Sequence, residues 1–291
     1  MRHTFRLTVI ALSIGTISVV TQAPNELDTV LARVGERIAE YYKRAQNVMC
    51  IEKFTIQPIA SNYGPDGMAR VTESELRVET EADDGDGGSE AKVVRVIRKI
   101  NGRPPREKNK KDRAGCTDPN PLSPEPLAFL LPAHRLEYTF TLAGRGKGKD
   151  RDSLLIDFKS IVVGSKPELI EASNGRDDCY EGKGTIPTRG RVWVEANSFD
   201  VVRIDEHLTG PVDFRISEAL RRRRNLGDQI IERADLTIRF KKVVFHDPEE
   251  VMLLPESIDD LKVWRGGMQS SRRSHTFSDY RRFLTGARLV R

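Results

Sequence analysis

The stretch from Asn25 to Asn47, NELDTVLARVGERIAEYYKRAQN, is the one long helical pattern in a chain that otherwise reads almost entirely as strands. At 100° per residue, Leu27, Leu31, Val34, Ile38, Tyr41 and Ala45 fall in a single apolar stripe about 80° wide, with Val30 and Tyr42 at its edges. Arg33, Glu36, Arg37, Glu40, Lys43 and Arg44 take the opposite side. A helix of this kind buries one face and shows the other to water, so it needs an apolar surface to lie on. The strands that follow must supply it. Asn25 is placed to cap the helix, Asp28 stands three residues on as in a capping box, and Pro24 keeps the preceding residue extended.

After the helix the apolar period changes from about four to two. Strands are expected at Met49 to Ile59, around Arg70 to Thr80, and at Ala91 to Ile100. Leu136, Tyr138, Phe140 and Leu142 then alternate with Glu137, Thr139 and Thr141, and Leu154, Ile156 and Phe158 with Leu155, Asp157 and Lys159. Arg189 to Leu208 reads as a hairpin turning at Ala196-Asn197-Ser198, followed by a strand over Gly210 to Ile216. Ala234 to Phe245, Val251 to Ile258, Asp260 to Arg265 and His275 to Phe283 complete the series. The pattern predicts a mainly β fold: about eleven antiparallel strands in a curled sheet or half-barrel wrapped on the one helix.

Between these strands lie polar connections. Glu81 to Ala91 reads as a flexible hairpin tip; EF-hand spacing is missing. AGRGKGKDR lacks the Walker spacing and joins two strands, so it reads as another tip. Residues 101–126 form a long irregular loop, basic first and proline-rich later. It leads into Leu127 to Leu131, LAFLL, expected to be a helical turn that tucks under the sheet or covers a pocket mouth. Arg221 to Arg224 reads as a solvated turn between strands, with contact to anionic headgroups as the alternative.

Residues 1–23 carry Arg2 and Arg6, an apolar run from Leu7 to Val20, and the small residues Thr21 and Ala23 flanking Gln22, the three-part logic of a secretory signal peptide. The run is shorter than a membrane-spanning helix needs. Cleavage predicts an exported, soluble protein, periplasmic or beyond, with a single domain over residues 24–291. Without Arg2 and Arg6 the chain has 46 basic and 43 acidic residues, too mixed for a nucleic-acid partner. Three cysteines, Cys50, Cys116 and Cys179, allow one disulfide, and Cys50 with Cys179 is the expected pair, both lying near well-fixed backbone. No CxxC or HxxxH spacing suggests a metal site.

Catalytic motifs are missing too. The chain has no GxSxG elbow, no HExxH helix and no GxGxxG between strand and helix. His134, His207, His246 and His275 fall in four different elements and read as surface or ladder residues. No enzyme activity and no cofactor are expected.

At RGRVWVEANSFDVVRIDEHLTG the chain resembles a known group. Val192-Trp193-Val194-Glu195 with Val201 to Asp205, and Leu254 to Ser257 in a late LPES strand, are similar to the periplasmic lipoprotein-carrier superfamily of outer-membrane lipoprotein sorting proteins. The order of signal peptide, amphipathic helix and antiparallel meander fits the same group. The resemblance implies a half-open barrel around an apolar cavity for acyl chains. The 101–126 loop and the cysteine-bearing CYEGKGTIPTRG depart from the minimal carrier pattern. On this reading a lipid or lipoprotein acyl chain lies beneath the helix against Leu27, Leu31, Val34, Ile38, Tyr41, Phe140, Phe158 and Phe240. The alternative is an envelope structural or sensory protein with a packed core, working through a surface such as the 101–126 loop or Arg221 to Arg224. An empty apolar cavity would favour the first, and aromatic side chains filling the space would favour the second.

Overall fold

A computed structural model describes residues 26–45, 48–82, 89–106, 126–147, 150, 152–162, 164–171, 179–246 and 249–282. The expected signal peptide, the Asn25 cap, Cys116 and most of the 101–126 loop lie outside them. Helix α1 spans Glu26–Ala45, with Glu26 and Asp28 in its first turn and Lys43 and Arg44 in its last, each sign at the helix end whose dipole it complements. Val30, Leu31, Val34, Gly35 and Ile38 are its buried residues. Leu31, Val34 and Ile38 come from the predicted stripe and Val30 from its edge, Leu27, Tyr41 and Ala45 are partly buried, and Gly35 lay outside it.

Strands β1 (Val48–Pro58), β2 (Arg70–Ala82), β3 (Ser89–Ile100), β4 (Tyr138–Arg145) and β5 (Ser153–Ser160) are followed by the short β6 (Glu168–Glu171) and β7 (Tyr180–Lys183). Then come β8 (Thr188–Glu195), β9 (Val201–Leu208), β10 (Val212–Asp213), β11 (Arg215–Ile216), β12 (Ile230–His246), β13 (Glu249–Arg265) and β14 (Ser271–Arg282). The main sheet has eleven strands in the order β3-β2-β1-β14-β13-β12-β9-β8-β5-β4, with β10 pairing β12 beside this path. Its register is antiparallel throughout, and β3 and β4 stand at its edges, so the sheet is an open one. The expected mainly β architecture on a single long helix is thus observed.

Several local expectations are corrected. Val251 to Arg265 is one strand and not two: Phe240 faces Pro255 while Arg239 faces Ser257, so Glu256 is the extra residue of a bulge that absorbs the proline without breaking the ladder. A separate three-stranded sheet, β11-β6-β7, was not anticipated, and it includes a parallel pair between β11 and β6. Arg221 to Arg224 lies in a helix, α2 (Glu218–Arg224), and not in a turn. The side chain of Ser217 accepts from Leu220 N at its start, and Asn225 ends it in the left-handed conformation.

The expected Cys50–Cys179 bridge is also overturned. Cys50 is a free, buried thiol on β1, packed with Leu76 and Phe277. Cys179 is disulfide-bonded to a partner outside the described residues. It adjoins β7 in the small sheet, whereas Cys50 belongs to the main one, so the two sit on different frameworks. Burial, with the nearby Glu52 charge, pushes the Cys50 thiol up to about 12, which leaves it an inert core residue.

Gly190 shows how closely the sheet packs. A Cβ there would lie 2.1 Å from the Asp205 carbonyl oxygen and 2.6 Å from the ring of Phe158, whose aromatic face occupies the space a side chain would take. Gly190→Ala is expected to destabilise the fold by about 1–3 kcal/mol through overpacking, read as a lowered thermal midpoint; an unchanged midpoint would show that the Phe158 ring is free to move aside.

Candidate functional site

Cross-strand register places Leu142, Ile156, Val192, Ile204, Ile238 and Ile258 in one row running across the sheet. These side chains point to the face that carries α1. Val30, Leu31, Val34 and Ile38 pack in a single cluster with Ile156, Phe158, Val192, Val194, Ile204, Ile238 and Phe240. Leu27, Tyr41 and Phe140 are partly buried against it. All eight residues proposed from the sequence as lipid contacts therefore lie in one apolar layer between helix and sheet. Val34, fully buried at 0% exposure, marks its centre.

The sequence reading placed 127–131 under the sheet or over a pocket mouth without saying what fills the space, and the structure shows LAFLL filling it. Ala128–Leu130 forms a single 3-10 turn. Leu127 and Leu130 are buried in the layer, Leu130 completely, with Phe129 and Leu131 packed beside them. The Phe129 ring lies 4.9 Å from Phe158, 5.4 Å from Tyr138 and 6.5 Å from Phe140, centroid to centroid. The expected gap beneath the helix is thus occupied by an aromatic cluster and a short apolar insert.

Two polar ties fasten the insert to α1. Leu127 N donates to the Tyr42 hydroxyl at 2.8 Å. Arg135 donates from Nε to the Leu130 carbonyl at 2.8 Å and from Nη2 to the Leu31 carbonyl. Gly35 permits this approach, because a Cβ there would stand 2.5 Å from Arg135 Nη2. A glycine within a helix costs about 1 kcal/mol relative to alanine, so the position gives up propensity for the contact. Burial pulls the Arg135 guanidinium below its ordinary value, and the distant Asp28 charge only partly opposes this.

The far end of α1 is clamped differently. Arg44 donates to Glu250 at 2.5 Å and to the Val251 carbonyl at 2.9 Å, while Arg282 reaches both Glu250 and the Arg44 carbonyl. Arg37 pairs with Asp200 at 3.1 Å. A small cleft of about 60 Å³ between these charges is rimmed by Arg37, Glu40, Arg44, Asp200 and Lys242. The helix's charged side is in part a set of fasteners.

On the opposite face of the sheet an open groove of about 620 Å³ is lined by Thr139, Thr141, Asp157, Lys159, Arg191, Trp193 and Asp205 among others. Its charges pair along the ladder: Arg191 with Asp157, Arg203 with Asp205, and the Arg203 guanidinium 4.5 Å over the Trp193 ring. The arginines of α2 are likewise engaged, Arg221 with Asp228, Arg222 with Glu218, and Arg223 and Arg224 with Glu171. Arg223 and Arg224 thereby fasten α2 to β6. Among the described residues no three His, Cys, Asp or Glu side chains gather as metal ligands, and no helix is long and apolar enough to cross a membrane.

One polar cluster had no signal in the sequence. Glu52 is fully buried on β1, its carboxylate accepting from Arg95 Nε at 2.7 Å and Nη2 at 3.0 Å, with His275 Nδ1 at 2.7 Å. His275, read from the sequence as a surface or ladder residue, is buried at 7% exposure with its ring 4.6 Å from that of Phe54. Burial raises the Glu52 carboxyl, but the hydrogen bonds and charges of His275 and Arg95 outweigh it and hold the group below the usual carboxylate value of 4.5. A depressed acid stabilises the fold above its ordinary pKa, and that stability is lost as the pH falls through and below 4.5. Glu52→Gln should cost about 3–5 kcal/mol near neutral pH by removing the buried carboxylate charge that Arg95 and His275 bond, and should flatten the acid limb of the stability curve in denaturant titrations. An equally steep acid limb in the variant would assign acid sensitivity elsewhere.

No family model and no curated protein matches the sequence. Solved structures similar to the fold include proteins of differing description. A LolA superfamily protein from Nitrosomonas europaea is 10% identical, with a TM-score of 0.34 over 88% of this chain and 94% of that one. A domain from Vibrio parahaemolyticus described as outer membrane lipoprotein-sorting is 10% identical, with a TM-score of 0.37 over 88% and 95%. A DUF1329 family protein from Desulfovibrio piger is 12% identical, with a TM-score of 0.41 over 91% and 96%. Identities and scores this low carry nothing about what the chain does.

Proposed function

We propose that this chain is an exported, non-enzymatic carrier, a single domain from residue 24 onward, that holds a lipid or lipoprotein acyl chain in the layer beneath α1. The observation that supports this reading most is the character of the insert at 127–131. The row from Leu142 to Ile258 forms a continuous apolar floor, α1 forms a roof, and part of the filling comes from four side chains at the end of an irregular connection. Such a filling is exchangeable. Burying Leu127, Phe129, Leu130 and Leu131 contributes roughly 6–12 kcal/mol, and a sixteen-carbon chain taking their place would contribute on the order of 12 kcal/mol. Apolar groups would replace apolar groups, with the ties from Tyr42 and Arg135 as the element to be broken.

A second reading is favoured by the aromatic cluster of Phe129, Tyr138, Phe140 and Phe158, which fills the layer as a packed core does. In that case the protein is an envelope interaction protein, working through a surface.

Delipidated protein titrated with a fluorescent fatty acid separates the two. The carrier takes up the probe, and Arg135→Ala, which frees the insert from the Leu31 carbonyl, binds it several-fold more tightly because opening costs less. Absence of uptake by both forms, with no lipid in the native preparation, would leave the packed-core reading.

A further inference from the structure

We propose that Lys262 and Arg273 form a subsite for the anionic headgroup, carboxylate or phosphate, of an amphiphile whose chain lies in the layer beneath α1, an inference that rests on the carrier reading above. The register locates them. Asp260 pairs with Leu236 on one side and Arg273 on the other, and Leu236 pairs with Glu206. Lys262 lies between Ala234 and Ser271. These residues share the face of Ile238 and Ile258, because strand side chains alternate and the positions differ by even steps. Ile238 belongs to the core under α1, while Ala234 packs against the second core around Val212, Phe214 and Ile231. A charged belt therefore crosses the inner face between two apolar clusters.

The belt is unlike the other charges of the sheet. Glu52, Asp157, Asp205, Asp235 and Asp259 each hold a basic partner. Among the described residues Lys262 makes no hydrogen bond or ion pair, and neither does Arg273, whose Nε is buried without an acceptor. Asp260 sits beside both and joins neither. Burial pushes the Lys262 amine down, with Asp260 opposing and Arg273 adding to the shift, and pushes the Glu206 carboxyl up against the opposing effects of Thr188 and His207. The buried Arg273 Nε, which has no acceptor, leaves a cationic donor of the belt unmatched. An anion supplied from outside meets that need.

The spacing suits an amphiphile. The Asp260 and Arg273 row is two residues from the Ile238 and Ile258 row, about 7 Å along the strands. A headgroup and its first methylenes span that distance, so a chain in the apolar layer brings its anionic end to Lys262 and Arg273 without bending.

The test uses the delipidated full chain and four probes: palmitate, palmitoyl-lysophosphatidate, uncharged monopalmitoylglycerol, and inorganic phosphate. The expected result is that both anionic C16 probes bind about tenfold or more tightly than the neutral one. Lys262→Met with Arg273→Met brings them down to the neutral probe's affinity and leaves that affinity unchanged. Both substitutions remove unpaired buried charge and should not lower the melting temperature; Lys262→Gln serves if the methionine form misfolds. Equal affinities in the wild type, or a preference that survives the double substitution, overturn the subsite while the carrier stands. Inorganic phosphate binding at these residues without any C16 preference overturns the lipid source. Failure of every C16 probe overturns the carrier reading and the subsite with it.

Discussion

A twenty-residue helix with one apolar side must be covered, and the rest of this structure follows from how that cover is made. Val34 and Ile38 press on Ile156, Val192, Ile204 and Ile238, side chains from four different strands brought into one row by register alone. The sheet curls to serve the helix, but it remains open at β3 and β4, and α1 keeps its charged side outward. Arg37 and Arg44 turn part of that charged side into anchorage, holding the C-terminal half through Asp200 and Glu250. The N-terminal half is held through Arg135 and the insert it carries. Ion pairs fix the C-terminal half, and the apolar insert is tied to the helix at both Leu31 and Tyr42.

Away from the helix the inner face changes character. Beneath α1 it is uniformly apolar, whereas along β1 and β14 it carries Glu52 and His275 beside Phe54 and Phe277. Glu52 is fully satisfied by Arg95 and His275, and such a buried ion pair costs desolvation that its hydrogen bonds must offset. Arg273 Nε is buried without an acceptor, and Lys262 has only the field of the nearby Asp260. The contrast between a satisfied cluster and an unsatisfied belt on one face distinguishes a structural polar group from one awaiting a ligand.

Much of this was legible in the residues. The stripe of α1 and the alternation of β4, β5, β8, β9 and β12 are local patterns, and local patterns survive folding when tertiary packing agrees with them. All eight proposed contact residues fell in one layer because helix and strand periodicities each identify an apolar face, and the open sheet offers those faces to each other. Features set by long-range pairing were hidden. His275 meets Glu52 across 223 residues, and the small sheet joins strands of two and four residues too short to show a period. The division expected at Asp259 is absent because Asp259 pairs with Thr237 and Ser274 in an unbroken ladder, which only the partner strands reveal. The cysteines misled for a similar reason: proximity to firm backbone says nothing about which sheet that backbone joins.

Native-state hydrogen exchange tests the central claim, that residues 127–131 form a removable filling on a permanent floor, without any ligand. The account predicts that the Leu130 and Leu131 amides, which bond to Leu127 and Ala128, exchange through a local opening at least about 2 kcal/mol cheaper than global unfolding, while β8 and β9 exchange only globally. Exchange of Leu130 and Leu131 at the same free energy as Val192 and Ile204 would make the insert part of one indivisible core and contradict the account.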